Sequence, residues 1–307
     1  MGEESARGQA QESLARTHDS TTGIAWEERG RTAGRASRAQ EWLESATRRW
    51  WFFLLILLLQ FLPPATSFRF DQSRMTEIIG RILGSAYATN PEWRALYPAL
   101  NSLAIIMLVG AVVLRNRWGR VLAVYAGLSY FAQAFLQNVA YLPGLGYGIV
   151  TNSVVMFLLV AAVWFLEAFC TRTNYQAMSR RPSRAWVIPL AAVALWYPAS
   201  LDTMRPDFDP THLLNGPAAL AFCLMTPSFL ALLILSHPQA NLVTLRVTGI
   251  VGSIVALYNL VFLVMYFERL WWNAVLHLPL LIISIFAVVL GYRRQQTVMR
   301  GSVAPSA

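Results

Sequence analysis

The side chains best placed for chemistry in this chain are uncharged amides and aromatic hydroxyls set inside long apolar runs. Tyr130, Gln133, Gln137 and Tyr141 follow one another at three- or four-residue intervals, which on a helix makes a single stripe. Asn273, His277 and Ser284 repeat the pattern in the last apolar run, and Asn101, Asn138, Asn152, Asn215 and Asn259 lie in others. An amide left unsatisfied in hydrocarbon costs several kcal/mol. Such a set therefore either lines a wet pocket or bonds between helices, where each pair averages about 0.6 kcal/mol. Because the amides fall in the middle or outer half of their runs, we read Tyr130, Gln133, Gln137, Asn138, Asn152, Asn215, Asn259, Asn273 and His277 as an outer-facing uncharged polar pocket.

A second constellation is Asp207, Asp209 and His212, with His277 as a candidate fourth ligand. Carboxylates and imidazoles at such spacing can hold a divalent cation and activate water or bind a phosphate. The plainer reading, which we favour, is a solvated acidic loop in which Asp209-Pro210 opens the next helix. Haem is disfavoured: of His18, His212, His237 and His277, one alone falls well inside an apolar run. Gly144, Gly146 and Gly148 superficially suggest a potassium filter, but the intervening stretch is too short for a pore helix and reads as a tight turn.

All 25 basic residues are arginine, so Schiff bases and P-loop lysines are excluded, and the formal charge of +9 is permanent. The arginines flank apolar segments rather than forming a patch, which argues for membrane orientation and against nucleic acid. Cys170 and Cys223 fall at the end of one run and inside another, so no extracellular disulfide framework is expected.

These residues must be positioned by membrane helices. The composition is 56% hydrophobic and 13% charged, with a mean hydropathy of +0.44. A bilayer core of about 30 Å needs roughly 20 helical residues. The expected fold is an all-α polytopic bundle of eight spans: 50–66, 97–114, 120–141, 148–170, 185–200, 213–235, 247–267 and 271–292. With both termini cytoplasmic, the alternation puts 19 arginines inside and six outside, as the positive-inside rule demands. Pro217, Pro227 and Pro279 are expected to interrupt spans six and eight, as in transporters.

Residues 1–40 and 297–307 read as disordered cytoplasmic tails around a membrane domain at 41–296. Met75, Ile78, Ile79, Ile82, Leu83 and Ala86 predict an amphipathic helix within 71–90, lying at the outer interface, with Asn90-Pro91 as its stop. The cytoplasmic halves of the spans carry almost nothing stronger than Ser or Thr, and Glu167 and Glu268 fall at span ends. The functional expectation is a multi-pass plasma-membrane protein that binds or facilitates transport of a neutral or lipid-like small molecule, needing no cofactor. The alternatives are a non-catalytic subunit or sensor of a membrane complex, and an enzyme acting on a lipid-borne substrate.

Overall fold

The computed structural model describes residues 37–178, 182–265 and 267–293. Of the expected tails, 1–36 and the whole of 297–307 lie outside these described residues, whereas 37–40 belong to helix α1 (residues 37–47). The remaining helices are α2 (Trp50–Leu58), α3 (Met75–Gly84), α4 (Tyr97–Val113), α5 (Asn116–Leu136), α6 (Thr151–Cys170), α7 (Pro182–Ala185), α8 (Val187–Trp196), α9 (His212–Asn215), α10 (Phe222–Ser236), α11 (Leu242–Met265) and α12 (Phe267–Tyr292).

Four described helices are long and apolar enough to cross a membrane, Pro91–Val113, Thr151–Cys170, Leu242–Val261 and Leu270–Tyr292. A fifth results if His212–Leu220 and Phe222–Ser236, bent by 91°, are one broken span. Two further apolar helices, Trp50–Phe61 and Ser183–Trp196, are shorter. Leu103, Ile106, Val109, Val112 and Val113 of α4 stay exposed. Such a face suits a membrane-embedded protein, since hydrocarbon does not penalise it. Helices α11 and α12 approach closely where Gly252 lies against the Ser284 side chain and leaves no room for a Cβ.

The all-α expectation needs one correction. A three-stranded antiparallel sheet, β1 (Ala65–Thr66), β2 (Val139–Leu142) and β3 (Gly146–Ile149), is ordered β1-β3-β2 with Tyr141 opposite Tyr147. Helix α5 stops at Leu136, short of the expected 141, because the Asn138 side chain donates to the carbonyls of Gln133 and Ala134 and ends the helical ladder. The next four residues then alternate in burial as a strand. Gly144 (φ +83°) and Gly146 (φ +72°) supply the left-handed backbone of the hairpin turn.

The predicted amphipathic helix is shorter than expected: α3 ends at Gly84, and Asn90 caps the following turn by accepting from Glu92 N–H. Its Ile78, Ile79 and Ile82 pack on Ala140, Leu142 and Val150, so the apolar stripe covers the sheet. The proline expectation is corrected at two of three places. Pro227 and Pro279 sit within continuous α10 and α12, and the chain breaks at Gly216–Ala221 around Pro217.

The bundle has two distinct ends. One gathers α1, the α4–α5 turn, residues 171–178 and the α10–α11 turn, joined by bonds such as Gln40–Asn241, Asn116–Asn174 and Asn174–Gln239. The other gathers the sheet, α3 and residues 197–221, with ties such as Arg94–Asp202 and Trp272–Pro198. We call them the α1 end and the sheet end.

Candidate functional site

The amides at the sheet end converge on a stretch of backbone that has no helix to satisfy it. Asn101 Nδ2 donates to the carbonyls of Leu214 (2.8 Å) and Gly216 (2.6 Å), while its Oδ1 accepts from Ala219 N–H at 2.9 Å. Gln133 Nε2 donates to Ala219 O at 3.1 Å, and Gln137 Oε1 accepts from Phe222 N–H at 2.9 Å. Three side chains from α4 and α5 thus bond both flanks of the 91° bend, replacing the ladder that the bend removes. Below it, the buried Tyr130 hydroxyl donates to Thr226 Oγ1 at 3.2 Å. Gln133 Oε1 is buried with no hydrogen-bond partner among the described residues.

The other expected pocket residues fall into separate groups. His277 Nδ1 lies 2.7 Å from the Asn273 carbonyl, so that nitrogen carries the proton, and Asn273 Oδ1 accepts from the Tyr197 hydroxyl at 3.1 Å. Asn152 reaches Gln60 on the turn after α2 at 3.4 Å. Asn215 is exposed and Asn259 half-buried, and no hydrogen bond joins either side chain to the rest of the set among the described residues.

The acidic loop does not assemble the cation site considered for it. Asp207 Oδ2 lies 2.9 Å from His212 Nε2, an ion-pair distance without hydrogen-bond alignment. Asp209 is engaged elsewhere: its Oδ1 accepts from Thr211 N–H at 2.8 Å, and that bond holds its carboxyl below the usual range. Among the described residues no three His, Cys, Asp or Glu side chains gather closely enough to hold a metal ion.

At the α1 end two charged side chains are buried, Glu167 in the last turn of α6 and Arg246 in the first turns of α11. Glu167, 2% exposed, accepts from Thr173 N–H at 2.8 Å and from Asn241 Nδ2 at 2.6 Å. Asn241 Oδ1 in turn accepts from Gln40 Nε2 at 2.7 Å and from Val243 N–H at 3.0 Å, which ties α1 to the start of α11. Arg246, also 2% exposed, donates from Nε to Gly291 O at 2.7 Å, and its guanidinium lies 5.4 Å from the centre of the Tyr292 ring. The available sequence signal was a charge in the terminal turn of an apolar run, at Glu167 and again at Arg246. Read as interface-facing, such charges look unremarkable; the chain crossing over them buries them.

Between α4, α8 and α10 runs a groove of about 660 Å³. Its walls are apolar, including Leu108 and Val112 of α4, Ile188 and Ala192 of α8, and Leu232 of α10, with Ser228 and Arg115 as polar exceptions. It occupies the half of α4 and α10 nearest the α1 end, since its lining runs from Leu108 to Arg115 and from Ser228 to Leu235. Arg115 holds a positive φ of 52° at the α4–α5 reversal, a strained setting for a side chain with a Cβ, and donates to Gln176 O at 3.1 Å. No protein-family model, curated protein or solved structure matches this chain.

Proposed function

We propose that this chain is an integral membrane protein of eight crossings, with both termini in the cytoplasm, that binds an anionic phospholipid of the inner leaflet in the groove between α4, α8 and α10. The observation that carries this reading is the groove itself. Its volume of about 660 Å³ lies within the roughly 300–1,000 Å³ typical of small-molecule sites. An apolar wall at membrane depth, ending at the Arg115 guanidinium, matches an acyl chain with a phosphate above it. In the proposed topology the α1 end is cytoplasmic, because it carries the arginine-rich turns.

The amides of the sheet end serve here as scaffold for the broken span rather than as the ligand site. A second reading keeps an outward-facing pocket for a neutral solute, and the unpartnered Gln133 Oε1 favours it. That pocket would draw on Asn215 and Asn259 as well, since Asn101 and Gln137 already bond backbone.

A phosphatidylglycerol bearing a photoactivatable group on its acyl chain tests the first reading in membranes. Crosslinks should fall in the α8 and α10 segments that line the groove, Ala192→Trp should abolish them by filling it, and Arg115→Gln should weaken them. Labelling spread evenly over all exposed apolar helix faces, and unaffected by either variant, would reject the site.

A further inference from the structure

A second cavity opens at the α1 end and shares no lining residue with the groove. It holds about 570 Å³ between the first turns of α5 and the segment after α6. Its wall carries three guanidinium groups, Arg117, Arg120 and Arg172, against a single carboxylate, Glu167. Both Glu167 oxygens are already engaged, by Thr173 N–H and Asn241 Nδ2, so the carboxylate is held by neutral donors rather than by these arginines. Arg117 and Arg120 are exposed and make no side-chain hydrogen bond or ion pair among the described residues. Arg172 has only a loose pairing with exposed Glu41 at 4.0 Å. The cavity wall therefore carries a formal surplus of two positive charges, and the Arg117 and Arg120 guanidiniums meet no acceptor among the described residues.

Two further observations sharpen this. Helix α5 starts in the cavity wall and its N-cap residue makes no side-chain cap bond, so the positive end of the helix adds to the field. The Tyr175 hydroxyl, in a side chain 1% exposed in that wall, has the Thr173 side chain nearby but meets no partner in hydrogen-bonding geometry among the described residues. Gly119 makes this seating possible, because a Cβ there would come within 3.0 Å of the Tyr175 ring. A buried phenol left unmatched beside unpaired guanidiniums is a donor set lacking its acceptor.

We propose that this cavity binds a phosphate dianion, as the monoester headgroup of a lipid or as free phosphate. The dianion balances the two surplus charges, and its oxygens suit the paired N–H donors of a guanidinium. A singly charged carboxylate would leave half the surplus unanswered. The site is independent of the groove, since none of its residues lines both.

The full chain reconstituted in phosphatidylcholine nanodiscs, with and without phosphatidic acid, provides the test, with inorganic phosphate as the soluble probe in calorimetric titration. Saturable binding of inorganic phosphate supports the proposal with a soluble ligand. Retention of phosphatidic acid over phosphatidylcholine, lost in the double variant Arg117→Gln/Arg120→Gln, supports it with a lipid headgroup. In whichever arm binds, the double variant should weaken affinity by about tenfold or more, as expected for losing charge-assisted contacts. Tyr175→Phe keeps the ring and should cost only a few-fold in affinity at an unchanged melting temperature. Absence of binding in both arms overturns the proposal, and so does an equal loss in Arg205→Gln, which removes a charge at the sheet end. Because Ala192→Trp fills the groove and leaves this cavity intact, phosphate binding that survives in that variant separates the two sites.

Discussion

The two ends of the bundle carry similar amounts of buried polar chemistry for different reasons. At the sheet end, Asn101, Gln133 and Gln137 are neutral and bond backbone groups released by a 91° bend. At the α1 end, Glu167 and Arg246 are formally charged and hold chain crossings together through Asn241, Thr173 and Gly291. A one-sided distribution of amides along apolar runs thus marks where backbone is irregular. By itself it does not mark an open pocket. The groove and the arginine-lined cavity both lie toward the other end, where the intramembrane amides are sparse.

The largest effect that would sharpen this contrast is at Asn241. Asn241→Leu leaves Glu167 buried with one donor fewer and strands Gln40, so stability should fall by about 3 kcal/mol, the upper end for a hydrogen bond to a buried charge. Denaturant unfolding in detergent measures it. A loss below about 1 kcal/mol would mean that water reaches Glu167 and that the α1 end is no clamp.

Asn101→Leu comes next. It releases two carbonyls and one N–H at the bend, and about 2–3 kcal/mol should be lost, given the typical cost of leaving buried backbone unpaired. Gln137→Leu removes a single bond to Phe222 N–H and should cost about 1 kcal/mol. Asn259→Leu, at a half-buried position, should stay within about 0.5 kcal/mol. If Asn259→Leu proved as costly as Asn101→Leu, the scaffold reading of the sheet end would lose its selectivity.

The smallest effects concern pH. His237 beside α7 is held below its ordinary 6.5 by burial and by the nearby Arg184 charge. The folded state disfavours its proton, so this contribution is present above pH 6.5 and is lost as pH falls below it. His237→Gln should flatten that part of the stability profile. At the sheet end, the Asp209 carboxyl is lowered by the Thr211 bond, so its loop cap persists above the ordinary 3.8 and weakens as pH falls through the lowered value. Chelator treatment should leave the melting temperature unchanged, since Asp209 is engaged with backbone.

Much of this architecture was legible in the residues, and the failures have identifiable causes. Helical segments fall within the expected apolar runs, because run length and bounding arginines survive any detail of packing, but only four of the described helices, or five with the bent pair, are long and apolar enough to cross a membrane. The sheet was not foreseen: Val139–Leu142 continues an apolar run without interruption, and only the Asn138 cap onto Gln133 and Ala134 distinguishes strand from helix. Pro217 breaks its helix while Pro227 and Pro279 do not. Beside Pro217 stand Gly216 and three amides ready to take the freed backbone groups, a tertiary arrangement that local sequence cannot display. The amides themselves were found by their spacing; what they bond to depends on neighbouring helices.

The most direct test of the central claim, that ligand binding belongs to the groove and scaffolding to the sheet end, is native mass spectrometry of Ala192→Trp and Gln137→Leu purified side by side from membranes. The account predicts that Ala192→Trp loses a co-purifying anionic phospholipid at an unchanged melting temperature, while Gln137→Leu keeps the lipid and melts lower. Lipid retained in Ala192→Trp but lost in Gln137→Leu at unchanged stability would contradict it and place the ligand at the sheet end.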